Sequence, residues 1–434
     1  MSAGVIGFAG MTHLGLLSAA AAADRGFQVV AYDPAPAVVA ALERGEFAIV
    51  EPDLPELIAR HRQRILFTAQ RAALSGADVV YVAADVPTDE QGRSDLDPIR
   101  AMVDGVAPAQ SPQCTLVILS QVPPGFTRSL PVPSERLYYQ VETLVFGRAV
   151  ERATRPERFI VGCADPSRPL PAIWAGFLSA FSCPILPMRY ESAELAKISI
   201  NACLVASLSV ANQFAELSES IGADWAEIVP ALRLDRRIGA HAYLNPGLGI
   251  AGGNLERYLR TVITLAQGRH IGAGLIQAFL DQSAHRKNWT FTILADALLS
   301  HNPGAKIAVL GLTYKENTHS TKNSPALALL ERLRGCAVTV HDPVVSATVV
   351  PWAVAAVDPM AAVADADALV IATPWPQYGV LKPEALKRAM AGRLILDPYR
   401  VLDGRACAGA GFTYYALGMA PLTASTEKRE EPRT

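Results

Sequence analysis

The sequence contains little charge, and its positive and negative residues nearly cancel. Charged residues make up 18% of the 434 residues, and the net charge is −2. A broad nucleic-acid-binding surface requires an excess of positive charge that this composition does not supply, although a local basic patch is compatible with it. Half of the residues are hydrophobic, and a single hydrophobic core does not extend over so long a chain. We therefore expect two or three globular domains and no nucleic-acid partner.

The sequence also lacks the cysteine spacing of a disulfide framework or of a metal site. No CxxC pair occurs, and several cysteines lie in apolar runs, as Cys203 does. Scattered cysteines of this kind are typical of buried, reduced thiols in a cytosolic protein. We therefore expect a cytoplasmic protein without a metal. The six cysteines are at positions 114, 163, 183, 203, 336 and 407.

No Asp, Glu, Lys or Arg occurs between Ala3 and Ala23. Such a stretch is typical of signal peptides and membrane spans, but this one has no basic region before it, and glycines interrupt it. A buried strand, a glycine loop and a buried helix explain it better, so we expect no membrane segment. At the other end of the sequence, residues 423–434 are polar and carry the charged run EKREEPR, which predicts a disordered tail.

Short β-rich runs alternate with helical patterns at both ends of the chain. The runs GVIGFA, FQVVAYD, DVVYVAAD and TLVILSQV are separated by helical segments, and the alternation returns after residue 305. Strands separated by helices predict a parallel sheet that is covered by helices on both faces. Between these parts lie helical patterns only, among them a long proline-free segment from Glu191. We expect an α/β protein with two Rossmann-like, doubly wound parallel-sheet domains, 1–188 and 301–422, joined by a helical middle domain, 189–300.

A glycine-containing loop follows the first predicted strand. The strand ends at Ala9, the loop runs from Gly10 to Gly15 into a helix, and the next strand ends at Asp33, 18 residues past Gly15. This order is the dinucleotide-binding fingerprint, in which glycines form the turn, the helix N-terminus meets the pyrophosphate and the acid binds ribose hydroxyls. Thr12 replaces the second glycine, and its β-branched side chain narrows the approach to the pyrophosphate. Because Asp33 would repel a 2′-phosphate, we expect NAD rather than NADP; a vestigial site is the alternative.

Short motifs follow one another through all three parts of the chain. They are Glu51-Pro52-Asp53-Leu54, Val86-Pro87 with Gly92 and Asp95-Leu96, residues 120–125, residues 193–197 with Asn201, residues 234–239, residues 245–247, Gly252-Gly253, residues 311–315, Asn317-Thr318, residues 324–326 and residues 411–415. In the same order, these motifs resemble those of the UDP-glucose/GDP-mannose dehydrogenase family. The resemblance extends from about residue 5 to residue 421, and although no single motif decides it, the common order is specific. It implies an NAD-dependent nucleotide-sugar 6-dehydrogenase.

The sequence departs from the family where the acid-forming chemistry resides. The family's GGxCxPKD pattern carries a cysteine nucleophile, whereas residues 252–259 read GGNLERYL, with Leu255 at the cysteine position and Leu259 at the aspartate position. The family oxidises a C6 alcohol to an aldehyde and then to an acid, and the second step requires a thiolate adduct that leucine cannot form. Further departures are Phe146 for the second family glutamate, Gln121 for the STVP threonine, His319, Ser320 and Lys322 for two aspartates and an arginine, and Tyr399 for the DGR arginine, with Arg400 beside it.

The groups needed for the first oxidation are retained. Lys197 and Asn201 are four residues apart on one predicted helix, so both side chains can reach the same oxygen, which the resemblance identifies as the sugar O6. A desolvated lysine can exchange a proton, and the amide can donate a hydrogen bond to developing negative charge. Glu142, the first family glutamate, would orient a water molecule or the substrate. The alternative is a surface lysine with a helix-packing asparagine.

Other candidates come from the middle and last parts of the chain. Tyr258 and Glu256 lie in the segment that normally holds the nucleophile, and either could supply a new acid or base or simply face solvent. Arg237 matches a family arginine that reaches the neighbouring subunit's substrate site, which predicts a homodimer built on the long middle helix; a solvated charge at a helix end is the alternative. Lys315, just after a strand, could meet a phosphate or the sugar. The candidate cofactor residues are Gly10, Thr12, Gly15, Asp33, Val86, Gln121 and Lys322, and the candidate substrate residues are Arg237, Gly252, Gly253, Lys315 and Arg400.

These residues support three hypotheses about function. The first is an NAD-dependent oxidoreductase that oxidises a CH–OH group of a nucleotide sugar once, by two electrons, without forming the acid. The second is a redox-neutral epimerase or lyase, in which the hydride is removed and later returned. The third is a non-catalytic nucleotide-sugar or dinucleotide sensor, which the changes at Thr12, Phe146 and Leu259 favour. Because Lys197 and Asn201 retain their spacing, we expect the first.

Overall fold

The computed structural model describes residues 4–87 and 94–424 of the chain. Gly92, which belongs to one of the family-like motifs, lies outside the described residues. Residues 425–434, which form most of the expected tail, lie outside them as well. The expectations for these two places therefore stay predictions.

The chain divides into two compact units, Met1–Ile200 and Asn201–Thr434. Each unit contains one β-sheet, and the expected fold class, two parallel-sheet α/β parts with a helical region between them in the sequence, is confirmed. The domain boundaries expected after residues 188 and 300 stay predictions.

Within the described residues, the first unit contains eight strands, almost all of them parallel. They are β1 (Val5–Ala9), β2 (Gln28–Tyr32), β3 (Ile65–Thr68), β4 (Val79–Val82), β5 (Thr115–Ile118), β6 (Leu137–Gln140), β7 (Phe159–Cys163) and β8 (Ile185–Arg189). Their order in the sheet is β3-β2-β1-β4-β5-β6-β7-β8, and β6 and β7 form the antiparallel pair. Because β2 and β3 lie on one side of β1 and β4 on the other, the winding reverses between β1 and β4, where α/β sheets of this kind bind their ligands.

In the described part of the first unit, seven α-helices accompany these strands. They are α1 (His13–Asp24), α2 (Pro36–Glu43), α3 (Leu54–His61), α4 (Asp97–Val106), α5 (Ala149–Thr154), α6 (Ala172–Ser179) and α7 (Tyr190–Ile221), the last of which continues into the second unit. Helix α1 contains ten buried residues and five consecutive alanines. The charge-free N-terminal stretch is therefore a buried strand, a loop and a buried helix, as expected.

Both faces of the first sheet are buried. Successive side chains of a strand pack on opposite faces of the sheet. In β4, Val79 and Tyr81 belong to the apolar cluster that contains α1, whereas Val80 and Val82 belong to the cluster that contains residues of α4. All four side chains are at most 1% exposed. A strand that is buried on both faces requires an uninterrupted apolar run, which explains why the sequence here is VVYV.

Helix α7 is anchored at its start by a buried carboxylate. Glu194 is fully buried, and its oxygens accept hydrogen bonds from the N–H groups of Gly125 (2.6 Å) and Thr127 (2.8 Å). This contact fixes the beginning of α7 against the loop that follows β5. Within the described residues, α7 is the one helix that is long and apolar enough to cross a membrane by length and composition, and 39% of its most apolar window is buried.

Up to residue 424, where the described part of the chain ends, the second unit contains six parallel strands. They are β9 (Lys306–Leu310), β10 (Ala337–His341), β11 (Val354–Ala355), β12 (Ala368–Ile371), β13 (Leu394–Leu396) and β14 (Thr413–Tyr415), in the order β11-β10-β9-β12-β13-β14. The helices that begin in this unit are α8 (Trp225–Leu234), α9 (Asn254–Gln267), α10 (Gly274–Lys287), α11 (Trp289–Leu294), α12 (Pro325–Arg332), α13 (Pro359–Val363), α14 (Pro383–Ala389) and α15 (Gly404–Gly409). The helical pattern of the middle part is thus confirmed, with a break between α10 and α11 at Asn288.

We expect Gly15→Ala to destabilise the first unit, because a Cβ at this position would lie 1.8 Å from the carbonyl oxygen of Gly10. Only main-chain movement relieves such an overlap, and overpacking of this kind costs about 1–3 kcal/mol. Denaturant unfolding followed by circular dichroism measures the change. Gly76→Ala is the control, since a Cβ at this exposed glycine meets no atom within 4 Å. Equal stability of the two variants would contradict this packing.

Candidate active site

The glycine loop after β1 has the geometry of a dinucleotide-binding turn. Gly10 has a φ of +99°, which a side chain would oppose, and its N–H donates to the carbonyl of Tyr32. Gly15 allows α1 to approach the loop closely, and α1 begins at His13. The N-terminus of α1 therefore lies at the reversal point between β1 and β4, where its N–H groups can meet a pyrophosphate.

Asp33, at the end of β2, fixes this loop. One carboxylate oxygen accepts the N–H of Met11 at 2.8 Å and the other accepts the N–H of Ala35 at 3.0 Å. The side chain is buried, with 8% exposed. Each carboxylate oxygen can accept a second hydrogen bond, so Asp33 can hold the loop and still bind a ribose hydroxyl.

Thr12 connects the two sides of the crevice. Its hydroxyl accepts the N–H of Asp85 at 3.0 Å and donates to the carbonyl of Ala83 at 3.4 Å. Thr12 has a φ of −76°, so a β-branched residue adopts this backbone without strain. The hydroxyl thus ties the loop after β1 to the loop after β4, and Val86 in that second loop is buried in the apolar core. The turn, the helix N-terminus and Asp33 fit a dinucleotide, while Thr12 adds a contact that the usual glycine cannot make.

His13 and Glu51 form a buried pair that the sequence analysis missed. The His13 Nε2 lies 3.2 Å from a Glu51 oxygen, and the ring stacks on Phe146 with 4.1 Å between centroids. The other Glu51 oxygen accepts the N–H of Ala149 at 2.6 Å. Burial acts to raise the pKa of Glu51, but hydrogen bonds from His13 and from the N–H groups of Ala149 and Gly147 hold it below its usual value. Phe146, a departure from the family pattern, is therefore part of the wall beside the cofactor loop.

Lys197, Glu142 and Gln121 lie together in the first unit. The Lys197 Nζ donates to the Glu142 carbonyl at 2.8 Å and lies 3.2 Å from a Glu142 carboxylate oxygen. The Gln121 amide donates to that same oxygen at 2.7 Å, and the N–H of Leu144 donates to the other one. The side chains of Lys197 and Glu142 are 12% and 5% exposed. Lys197 is therefore not a solvated surface lysine, and both Glu142 oxygens already accept hydrogen bonds.

Asn201 lies one turn after Lys197 on α7 and is 9% exposed. A buried amide is hydrogen-bonded in most proteins, and at this position it can serve the sugar oxygen or the packing of α7. Both interpretations of Asn201 stay open as predictions.

The segment that replaces the nucleophile loop is the first turn of α9. Leu255 packs against an apolar cluster that contains Val205, Ile250 and Leu259. Tyr258 is 5% exposed, so it does not face solvent. The position of the missing cysteine is therefore part of the apolar packing of the second unit.

Asn323 clamps the paired glycines before this helix. Its amide nitrogen lies 3.2 Å from the Ile250 carbonyl, 3.4 Å from the Gly252 carbonyl and 2.9 Å from a Glu256 oxygen. The Lys287 Nζ donates to the Asn323 oxygen at 2.6 Å, and burial lowers the pKa of Lys287. Neither Asn323 nor Lys287 is predicted from the sequence, because neither belongs to a motif that predicts a contact with the glycine pair. Glu256 helps to hold Asn323 in place by accepting a hydrogen bond from its amide.

Both paired glycines lie against the loop after β9. A Cβ at Gly252 would lie 3.0 Å from the Tyr314 ring, and one at Gly253 would lie 2.9 Å from the Lys322 side chain. Lys322 thus lies beside a predicted substrate residue within the second unit. The Lys315 Nζ lies 5.7 Å from the centroid of the Tyr314 ring. Both lysines therefore lie in the loop after β9, where Lys315 is expected to meet a phosphate or the sugar.

The two predicted substrate arginines are both ion-paired in the second unit. Arg400 forms hydrogen bonds of 2.6 and 3.0 Å to Asp224, at the start of α8. Arg237 pairs with Asp235 at 2.6 Å, and its side chain is 89% exposed. An arginine this exposed fits a solvated helix end and also fits a contact with a second subunit. Their role in substrate binding stays a prediction.

We expect the Thr12→Gly variant to bind NAD about two- to tenfold more tightly than the wild type. The Thr12 hydroxyl makes one hydrogen bond across the crevice, worth about 0.5–1.5 kcal/mol, and in the variant this bond no longer has to be broken when NAD binds. Isothermal titration calorimetry measures the affinity, and Thr12→Ser, which retains the hydroxyl, is the matched control. Weaker binding by Thr12→Gly would show instead that the hydroxyl is a ligand of the cofactor.

Three family models match the chain in order. The NAD binding domain of the UDP-glucose/GDP-mannose dehydrogenase family matches residues 4–173, its central domain matches residues 191–283 and its UDP binding domain matches residues 308–404. The match to the NAD binding domain confirms NAD as the expected cofactor.

Similar proteins cover almost the whole chain. The UDP-glucose 6-dehydrogenase of Pseudomonas aeruginosa is 31% identical over 94% of this chain and 96% of its own length, and that of Rhizobium meliloti is 29% identical over 94% and 98%. The structure of a UDP-glucose dehydrogenase from Pyrobaculum islandicum has a TM-score of 0.80 at 26% identity, over 93% of this chain and 98% of that one. A UDP-D-ManNAc dehydrogenase from Pyrococcus horikoshii, with a TM-score of 0.83 at 24% identity over 96% and 99%, shares the fold. The chain therefore belongs to the UDP-glucose/GDP-mannose dehydrogenase family of NAD-dependent nucleotide-sugar dehydrogenases.

Proposed function

We propose that this protein oxidises one CH–OH group of a nucleotide-activated sugar to a carbonyl in a single two-electron step and releases that product. The alcohol loses a hydride and a proton, which gives the aldehyde, NADH and H⁺. NAD, when bound, supplies the hydride acceptor. The observation that carries the proposal is Leu255, which packs in an apolar cluster where the family pattern has its cysteine.

Lys197 acts in this proposal as a charged hydrogen-bond donor. An ammonium group has three N–H donors, and Lys197 directs two towards Glu142, which leaves one for the sugar oxygen. A cation held in a buried site stabilises the alkoxide that develops as the alcohol loses its proton. Glu142 positions the lysine, and Gln121 positions Glu142.

Three of the six thiols, those of Cys114, Cys407 and Cys203, are unsuited to replace the missing nucleophile. Burial raises the pKa of the Cys114 thiol to about 11 and that of Cys407 to about 12, so neither supplies a thiolate at neutral pH. Cys203 is exposed, but it follows Lys197 by six residues and lies well round α7 from it. Without a thiolate adduct the aldehyde carbon does not become a hydride donor a second time.

The match to the UDP binding domain supports a nucleotide sugar as the substrate. Lys315 supplies a positive charge in the loop after β9, and such a cation suits the oxygens of a diphosphate. A preference for UDP is supported by the family model only, because His319 and Ser320 replace the aspartates of the family pattern in this loop.

The number of NADH molecules formed per sugar consumed tests the proposal. A panel of nucleotide sugars that begins with UDP-glucose is tested for turnover. For the sugar that is consumed, we expect one NADH per molecule. NADH is measured by its absorbance at 340 nm, and the product is identified by mass spectrometry. Lys197→Met should lower kcat at least about 100-fold, which is the usual effect of removing one donor to a developing oxyanion. Lys387→Met, an exposed lysine in the last turn of α14, is the matched control.

The other outcomes separate the alternatives. Two NADH with a uronic acid product would refute the role given to Leu255. A changed sugar without net NADH would indicate the redox-neutral epimerase or lyase. Calorimetric binding of NAD and nucleotide sugar without any turnover would indicate the sensor.

We also propose a homodimer built on α7. Four apolar side chains in its second half are about half exposed or more and follow one another at intervals of four, three and four residues, which places them on one face of the helix. An exposed apolar face of this kind marks a protein–protein contact surface. They are Val210 (51%), Phe214 (50%), Leu217 (47%) and Ile221 (67%).

Val210→Asp is expected to shift the protein from dimer to monomer, because a dimer would desolvate the new carboxylate without a partner. Light scattering after size-exclusion chromatography measures the mass. Val357→Asp, at a side chain that is 90% exposed and lies far along the chain from α7, should leave the mass unchanged. A wild-type protein that is monomeric at micromolar concentration would contradict the proposal.

We also propose that the protein is located in the cytoplasm. All six cysteines are free thiols, which fits a reducing compartment.

A further inference from the structure

A cavity of about 310 Å³ lies in the second unit, and its lining residues include neither the paired glycines nor any residue of the Asn323 clamp. Its walls come from the end of α7, from α10 and α11, and from the segment after β14. We call it the Glu216 pocket, after the carboxylate at its polar end. Its size is at the lower end of the range of small-molecule sites, roughly 300–1,000 Å³.

One carboxylate of the Glu216 pocket is fully engaged by protein groups. Glu219 accepts hydrogen bonds from Arg286 (2.9 Å), from the Trp289 indole N–H (3.0 Å) and from the N–H of Gly418 (2.9 Å). Arg286 is 1% exposed, and its guanidinium is shared between Glu219, at 2.9 Å, and Glu216, at 3.6 Å.

Glu216, the other carboxylate of the pocket, has an oxygen that can accept a further hydrogen bond. One Glu216 oxygen lies 2.7 Å from His285, and the second lies 3.6 Å from Arg286, which is beyond the length of a hydrogen bond. The Glu216 side chain is 34% exposed. The pocket holds two carboxylates and one guanidinium, and its under-bonded acceptor is a Glu216 oxygen.

The rest of the lining is apolar or aromatic. Trp289, Ile293, Tyr415 and Met419 all contribute to the walls. Aromatic faces attract cations, and the apolar side chains favour a hydrocarbon body. A negative polar end next to aromatic and aliphatic walls is complementary to an ammonium ion that carries a small apolar group.

We propose that the Glu216 pocket binds a small organic amine in its protonated form. The ammonium group donates to the under-bonded oxygen of Glu216, and the hydrocarbon part lies between Trp289 and Met419. The proposal is independent of the dehydrogenase reaction, since none of these residues belongs to the candidate active site.

Calorimetry on the full-length protein at pH 7.5 tests the site with 2-phenylethylamine and with 2-phenylethanol, which has the same hydrocarbon body but no charge. We expect the wild type to bind the amine at least about tenfold more tightly than the alcohol, because the charge-assisted hydrogen bond is lost with the alcohol. This comparison needs no variant, so it is unaffected by any folding defect.

Glu216→Gln should reduce binding of the amine by about tenfold as well, because the amide keeps the shape of the carboxylate without its charge. Glu384→Gln, at an exposed carboxylate in the first turn of α14, is the matched control and should bind the amine like the wild type. Equal binding of amine and alcohol, or unchanged binding of the amine by Glu216→Gln, would overturn the proposal. Neither result depends on turnover, so failure of this site and failure of the proposed function are distinguishable.

Discussion

The carboxylate of Glu142 organises the candidate active site of the first unit. A buried charge is tolerated only when it is paired and hydrogen-bonded, and this one is met by Lys197, Gln121 and the N–H of Leu144. The same contacts that satisfy the carboxylate hold the lysine in place. The position of the Lys197 side chain therefore depends on residues from the loop after β5 and the loop after β6 as much as on its own helix.

The segment that contains Leu255 is held by different forces. Leu255 packs against an apolar cluster, while Asn323 binds two main-chain carbonyls nearby. A catalytic cysteine requires a polar, accessible environment that lowers its pKa, and apolar packing has the opposite effect. The packing at this position therefore suits a leucine better than a thiolate.

The sequence by itself determined the features that depend on local structure. Alternating β-rich and helical runs predicted two parallel-sheet parts, because strands buried on both faces must be continuously apolar. The turn at Gly10 and the close approach at Gly15 were predictable, since only glycine tolerates such geometry. Lys197 and Asn201 could be placed on one face of one helix from their spacing alone. The order of the motifs was sufficient to identify the family.

Only the tertiary structure decided which side chains pair. His13 meets Glu51 38 residues away, Lys197 meets Glu142 55 residues away and Arg400 meets Asp224 176 residues away. No local pattern specifies such a partner, because the contact depends on how strands and helices are arranged in space. For the same reason the sequence left Tyr258 between a catalytic and a solvent-exposed position, and the fold buries it. Composition and spacing determine the elements, and the packing of those elements determines which charges meet.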